Sequence, residues 1–337
     1  MTQVIAVFGA YGHTARFVTA QLLARGYEPV LSGRDEAKLA EVAPPGVRTR
    51  VASADDPASL DRAIEDAVAV INCAGPFGDT APQLIEAALR AGIHYLDITA
   101  EALVAIDTFG TYRGDPRIPQ AGITVAPVMA FYGALGDLLA TAALGDWPSA
   151  DEITIAVALD SWHPTRGTRL AGKRRAGRRV IFDDGRLQVL PGDAAPPTGT
   201  WPFAEPFGVQ DVVGQLSTTD LVTISRHVTV PRISAVINTA PLKDLNDPGS
   251  TGPRTAGADG RSAQVFLVEV VVRRGDGQRR ASARGRDIYA VSAPIVTEAL
   301  DRILTGRTTA TGVITAGEAF DAKDFLRSLP LDDLFVS

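Results

Sequence analysis

The stretch Val4 to Val18, VIAVFGAYGHTARFV, constrains this chain more than any other. Val4, Ile5, Val7 and Phe8 form a β-prone apolar run, and Gly9 stands where the backbone must turn. From Phe17 apolar residues recur at helical spacing through Val18, Leu22 and Leu23, and the run stops at Gly26. The stretch therefore reads as strand, glycine turn and helix. Without side chains at Gly9 and Gly12, a dinucleotide's pyrophosphate can approach the free N–H groups of the helix start, with Ala10, Tyr11, His13 and Thr14 completing the turn. Ala15, the third small position of this G-x-x-G-x-x-A spacing, lets helix and strand pack closely. A strand-turn-helix that binds nothing is the alternative, and the second β-α unit that follows at once argues against it.

That second unit begins with a strand near Pro29 whose exit is Ser32-Gly33-Arg34. Sites selective for NAD place a carboxylate at this position to bond the ribose 2′-OH, and the same carboxylate would repel a 2′-phosphate. Here Ser32 can donate a hydrogen bond, Arg34 can pair with phosphate and lie against adenine, and Lys38 follows one helical turn later. NADP is thus expected over NAD, unless Arg34 and Lys38 are merely solvated residues opening an exposed helix.

The alternation continues with strands at Val47–Ala52, from Val68, at Ile93–Ile98 and at Ile123–Ala126, and with helices between them, one from about Thr80 to Ala91. Such alternation predicts a Rossmann-type doubly wound parallel sheet, with ligands beyond the strands' carboxyl ends. Asn72, Ala74, Gly75 and Pro76 then share an edge with Gly9 and Gly12 and are expected to border the nicotinamide ribose. Cys73 reads as an inert apolar residue, a nucleophile being the weaker alternative. Beyond about residue 150 the strands are grouped instead: Ile153–Leu159, Val180–Phe182, Val228–Ile237, and the pair Gln264–Arg273 and Gln278–Arg284 joined through a Gly-Asp-Gly turn. We expect residues 1–130, completed by 288–337, to form the nucleotide-binding domain. Residues 131–287 are expected to form a second α+β domain with a mainly antiparallel sheet that binds substrate and forms a homodimer. Within it, 238–261 reads as either a disordered loop or a lid.

The chain has 337 residues and is 45% hydrophobic, enough for two cores, and its net charge of −6 offers nucleic acid no general attraction. With one cysteine and four scattered histidines it has no spacing for a metal site or a disulfide framework. The first apolar residues are committed to a strand, and no segment reads as a membrane span or a leader, so a cytoplasmic setting is expected.

Val70-Ile-Asn-Cys-Ala-Gly-Pro-Phe77, followed by Gly92-Ile-His-Tyr-Leu-Asp-Ile-Thr-Ala-Glu101, resembles the paired signature of saccharopine dehydrogenase-like reductases, which include trans-acting enoyl reductases. Gly9 to Ala15 and Ser32 to Arg34 stand where that family has its NADP loop and phosphate-reading arginine. Arg286-Asp-Ile-Tyr289, then Thr311 to Glu318 and Phe320, is similar to its closing segment. The chain departs from the family at Ala130-Phe-Tyr-Gly-Ala-Leu-Gly-Asp137 and at Ala100, which replaces a common glycine.

The resemblance implies an NADPH-dependent oxidoreductase that reduces a C=N or an activated C=C bond of a small metabolite, including a carrier-bound or coenzyme A thioester. A non-catalytic NADP-sensing protein is the alternative. Tyr132, at the sixth strand's carboxyl end, is the candidate proton donor, with His163 as a second acid-base candidate. Phe77, Phe131, Asp97, Glu101 and Arg166 are candidate substrate contacts. For the two carboxylates a structural role bonding loop N–H groups competes. Arg166 opens the densest basic run, Thr165 to Arg179, of which a solvated helix face is the plain alternative.

Overall fold

The computed structural model describes residues 2–175, 177–191 and 195–337, and of Arg175 the backbone alone. The first half alternates as expected: β1 (Val4–Phe8), α1 (His13–Ala24), β2 (Glu28–Gly33), α2 (Glu36–Val42), β3 (Arg48–Val51), α3 (Pro57–Ile64), β4 (Ala69–Asn72), α4 (Phe77–Ala91), β5 (His94–Asp97), α5 (Ala102–Tyr112), α6 (Arg117–Ala121) and β6 (Thr124–Ala126). All six strands are parallel, in the order β3-β2-β1-β4-β5-β6. Strand order reverses between β1 and β4, so α1 and α4 begin beside one crevice. Helix α4 starts three residues before the expected Thr80, at Phe77, because Pro76 has extended dihedrals suited to an N-cap.

An irregular turn over Phe131–Leu135, non-helical at Tyr132 and Gly133, leads into α7 (Gly136–Leu144). The second sheet follows: β7 (Glu152–Leu159), α8 (Arg166–Arg175), β8 (Arg178–Asp183), β9 (Arg186–Pro191), β10 (Thr198–Pro202), β11 (Val209–Val213), α9 (Asp220–Ile224), β12 (Ile233–Asn238), α10 (Ala240–Asn246), β13 (Val265–Arg274) and β14 (Gly277–Arg286). Residues 191–200, rich in Pro, Gly and Ala, read in the sequence as a loop; 192–194 lie outside the described residues, and β10 already begins at Thr198. The sheet is mainly antiparallel, as expected, with one parallel pair: β12 runs parallel to β7, while β13, β14 and β11 are antiparallel to their other neighbours. The long excursion between β7 and β12 supplies the crossover that a parallel pair needs. Expected from Val228, β12 begins only at Ile233, after Pro231, which has no N–H for a ladder. The 238–261 segment is neither wholly irregular nor detached, since it contains α10 and its Gly260 carbonyl accepts from Arg16 at 3.1 Å.

The C-terminal segment serves both sheets. Helix α11 (Ser292–Leu304) packs on α1, and Arg25 of α1's C-cap bonds Glu298 at 2.9 Å. Strand β15 (Gly312–Val313) extends the parallel sheet beside β6. After α12 (Ala316–Ala319) and α13 (Ala322–Ser328), β16 (Asp333–Val336) pairs with β14 of the second sheet instead of remaining with the first. Alternation decides this: Leu334 and Val336 are half-buried while Asp333 and Phe335 face out.

Candidate functional site

The glycine turn fixes the crevice between α1 and α4. Gly9 has φ +78°, and a Cβ there would stand 2.6 Å from that of Ala74, so only glycine lets the loop after β1 meet the loop after β4. The Gly9 and Ala10 amides donate to the Ser32 carbonyl at 2.8 and 3.1 Å, and Gly12 N–H to the Gly9 carbonyl at 2.9 Å. These bonds hold the turn closed. At the head of α1, Gly12 is the N-cap and supplies no side-chain hydrogen bond to the first N–H groups of the helix.

The neighbouring strand end differs from expectation in one respect. Ser32 is 1% exposed and its hydroxyl donates to the Arg50 carbonyl at 2.9 Å, so its proton stitches β2 to β3 and is not offered to a ligand. Tyr11 covers Gly33, where a Cβ would lie 2.6 Å from the ring. Arg34 is exposed and, among the described residues, has no hydrogen-bond or ion-pair partner. Lys38 is paired with Asp35 at 2.8 Å and stands 5.9 Å from the Tyr11 ring centroid.

Across the crevice, Asn72 is fully buried and its side chain is spent on the protein: its amide donates to Thr80 and Tyr95, and its oxygen accepts from Ala74 N–H at 3.0 Å. It shapes the Ala74-Gly75-Pro76 loop, of which Gly75 is exposed and the Gly75–Pro76 bond is cis. Cys73 is a buried thiol whose pKa burial and the Asp97 charge push up, leaving it protonated. Asp97 accepts from Tyr95 Oη, Thr99 N–H and Val128 N–H at 2.8, 3.0 and 2.8 Å. It is wholly enclosed, and these bonds tie together the strand ends. Part of what it restrains is Val128, a β-branched residue at φ +65°, a strain that such bonds keep in place. Glu101 accepts from Phe77 N–H at 2.9 Å, and burial raises its pKa; Phe77 itself is nearly enclosed.

The turn after β6 brings Tyr132 to the crevice. Its hydroxyl is buried without a hydrogen-bond partner among the described residues, and burial, with the nearby Asp220 and Tyr289, holds the phenol protonated. The ring lies 6.2 Å from that of Trp162, whose N–H donates to Tyr289 Oη at 3.1 Å. Tyr289 in turn meets the His13 ring edge-on at 5.6 Å. A row of rings therefore joins the Tyr132 turn to the glycine turn. The His13 Nε2 is a second buried polar atom without a partner, and burial lowers that imidazole's pKa, with Arg16 acting in the same direction. Phe131, by contrast, is core: its ring packs 5.0 Å from Phe266 and its N–H donates to Ser292. His163 is exposed and faces Ser250 Oγ at 3.4 Å. Arg166 is exposed and opens α8, and its charge acts on Lys38.

The comparisons agree with this geometry. An NAD(P)H-binding family model matches residues 9–116, the glycine turn through the fifth helix. Apo saccharopine dehydrogenase (L-Glu forming) from Saccharomyces cerevisiae is similar over 100% of both chains, with TM-score 0.68 and 11% identity.

The chain has the saccharopine dehydrogenase fold.

Two other solved structures overlap only a part of it. A triphenylmethane reductase of Citrobacter sp. complexed with NADP(H) covers 37% of this chain and 48% of its own at 22% identity, TM-score 0.31. A short-chain dehydrogenase/reductase of Veillonella parvula covers 38% and 69% at 22% identity, TM-score 0.28. No curated protein matches the sequence. Within the saccharopine dehydrogenase fold of this chain, no group of three or more His, Cys, Asp or Glu among the described residues is placed to hold a metal ion. No helix among them is long and apolar enough to cross a membrane.

Sequence reasoning passed over Trp162, Tyr289 and Asp220 as site residues. Trp162 follows the carboxyl end of β7, a position that could have flagged it. Nothing local marks Asp220, which reaches the site by accepting from Gly133 N–H at 3.0 Å.

Proposed function

We propose that this chain is an NADPH-dependent oxidoreductase that reduces a C=N or activated C=C bond of a small metabolite, free or as a thioester. The observation that supports it best is the pairing of an α1 N-terminus with no side-chain cap, reached over a turn that lacks side chains at Gly9 and Gly12, with the Arg34 guanidinium, unpartnered among the described residues, one strand away. The first turn of α1 suits a pyrophosphate and Arg34 suits a 2′-phosphate. The loop at Ala74 to Pro76 fits the nicotinamide end, and a reduced nicotinamide bound there supplies hydride.

The protein's share is to orient and to protonate. Tyr132, Trp162 and Tyr289 form one row of rings; the Tyr289 hydroxyl is spent on Trp162 and the start of α8, so the unpartnered Tyr132 phenol is the one that keeps its proton for an acceptor oxygen or carbon. For a protonated imine that proton is dispensable. For an enoyl thioester the α-carbon must gain one, and Tyr132 becomes essential.

The test is titration with NADPH and NADH, followed by nucleotide oxidation against a panel of cyclic imines and enoyl thioesters. The reading requires NADPH to bind at least about tenfold tighter than NADH and one panel class to be reduced. Failure of both nucleotides to bind would remove it.

A further inference from the structure

Helix α8 is fixed at both ends to the two helix starts that flank the crevice. At its first turn, Tyr289 Oη meets Thr168 Oγ1 at 2.9 Å and accepts from Thr165 N–H at 3.3 Å, while the Tyr289 ring rests against His13, the first residue of α1. At its last turn, Arg174 grips Asp79, in the first turn of α4, through both guanidinium nitrogens at 2.7 and 2.6 Å. Ten residues of helix reach about 15 Å, and the contacts at its two ends tie it to both helix starts. Between its ends, Arg169 donates to the carbonyls of Asp247 and Ser250 at 3.2 and 2.6 Å.

This course sets Arg166, the first residue of α8, close to the start of α1, near enough to Lys38 for its charge to be felt there. Asp35 raises the Lys38 pKa through a hydrogen bond and its charge, and the Arg166 charge opposes that rise, so the two cations feel each other. Lys38 has its carboxylate. Arg34 and Arg166 have none among the described residues, and both are exposed. Two exposed guanidinium groups without a carboxylate leave their donors free for an anion with several acceptor oxygens, and a phosphomonoester matches their planar forks.

We propose that Arg166 reads the phosphate on the adenosine ribose together with Arg34, so that the nucleotide is held from both sheets and α8 is its strap. This rests on the proposed nucleotide site but adds a residue that the glycine turn does not predict. A phosphomonoester on adenosine occurs at the 2′ position of NADPH and at the 3′ position of coenzyme A. The proposal commits to the 2′ group.

The test is calorimetric titration of the full chain with 2′,5′-ADP, 3′,5′-ADP and 5′-AMP, comparing wild type, Arg34→Ala and Arg166→Ala. Each variant should lose about tenfold or more toward 2′,5′-ADP and change little toward 5′-AMP. Arg166 is exposed, so its replacement leaves folding intact, which a thermal melt verifies. A loss confined to 3′,5′-ADP would reassign α8 to a coenzyme A adenylate and overturn the proposal. So would an Arg166→Ala protein that binds 2′,5′-ADP as wild type does while Arg34→Ala does not. If wild type binds none of these nor NADPH, the reductase reading itself falls.

Discussion

The Asp137 carboxylate, in the first turn of α7, faces His227 Nε2 at 2.6 Å and on its other oxygen accepts the Gly317 N–H at 2.8 Å. Three segments distant in sequence thereby converge directly behind the Tyr132 turn. Burial disfavours the imidazolium, but the Asp137 charge and hydrogen bond, with Glu318 beyond, outweigh it and raise the His227 pKa above 6.5. The native state then holds this proton more tightly than the unfolded chain does. The contribution is complete below about pH 6.5 and is lost as pH rises through the higher folded value. His227→Gln should flatten this decline in denaturant-unfolding measurements across the neutral to alkaline range. It should also cost about 3 kcal/mol near pH 6, because Asp137 is left buried beside a neutral group. An unchanged pH profile would mean that the histidine is neutral in the fold.

A second buried carboxyl gives the opposite slope to the usual acid. Burial, with the nearby Asp137 charge, raises Asp220 to about 6 from an ordinary 3.8, against the pull of the Gly133 N–H. The folded state binds the proton more tightly, so stability falls as pH rises between those values and stays depressed above them. Asp220→Asn keeps an acceptor for Gly133 and removes the charge. It should stabilise the protein at pH 7 by up to about 3 kcal/mol, less whatever its new amide loses for want of an acceptor. Asp97 is raised to about 6 as well, so the acid-range slope should shrink by roughly half and persist. Urea titrations at stepped pH read both effects.

Gly9→Ala tests the turn itself. At φ +78° and with Ala74 Cβ 2.6 Å from the new methyl, the loop after β1 must part from the loop after β4. A loss of about 1–3 kcal/mol is expected, with nucleotide affinity falling further than stability because the helix start moves. Thermal melts alongside NADPH titration separate the two. Loss of stability with full affinity would show that the turn does not hold the pyrophosphate.

Where neighbours in sequence are neighbours in space, the chain was readable. The β1-turn-α1 unit, the parallel sheet and the crevice at Gly9 follow from apolar runs and glycines because every one of the first five strands except β3 pairs with its successor. Asp97 and Cys73 were also read with their structural roles among the alternatives, since a strand end full of loop N–H groups calls for an acceptor. The second sheet resisted because its pairings are distant: Ile233 lies beside Ile153, and nothing in either strand names the other. Ser32 misled for a similar reason. Its hydroxyl is drawn to Arg50, a partner set by the β2–β3 register and not by the motif. Arg166, read as a possible substrate contact, takes its place from the anchors of α8 at Tyr289 and Asp79, both far along the chain.

Tyr132→Phe separates function from stability. The hydroxyl is buried with no hydrogen-bond partner among the described residues, so removing it leaves the ring contacts with Phe131 and Trp162 in place and takes away an unsatisfied polar group. Stability should hold or rise by about 1 kcal/mol. Catalysis should respond according to the acceptor. A protonated imine carries the proton it needs, so its reduction should slow less than about tenfold, whereas an enoyl thioester, which must gain a proton at carbon, should slow about 10²–10⁴-fold. Steady-state rates on both acceptors, with NADPH affinity measured separately, distinguish these outcomes. Equal rates for mutant and wild type on every accepted substrate would remove the phenol from the chemistry and leave it a packing role.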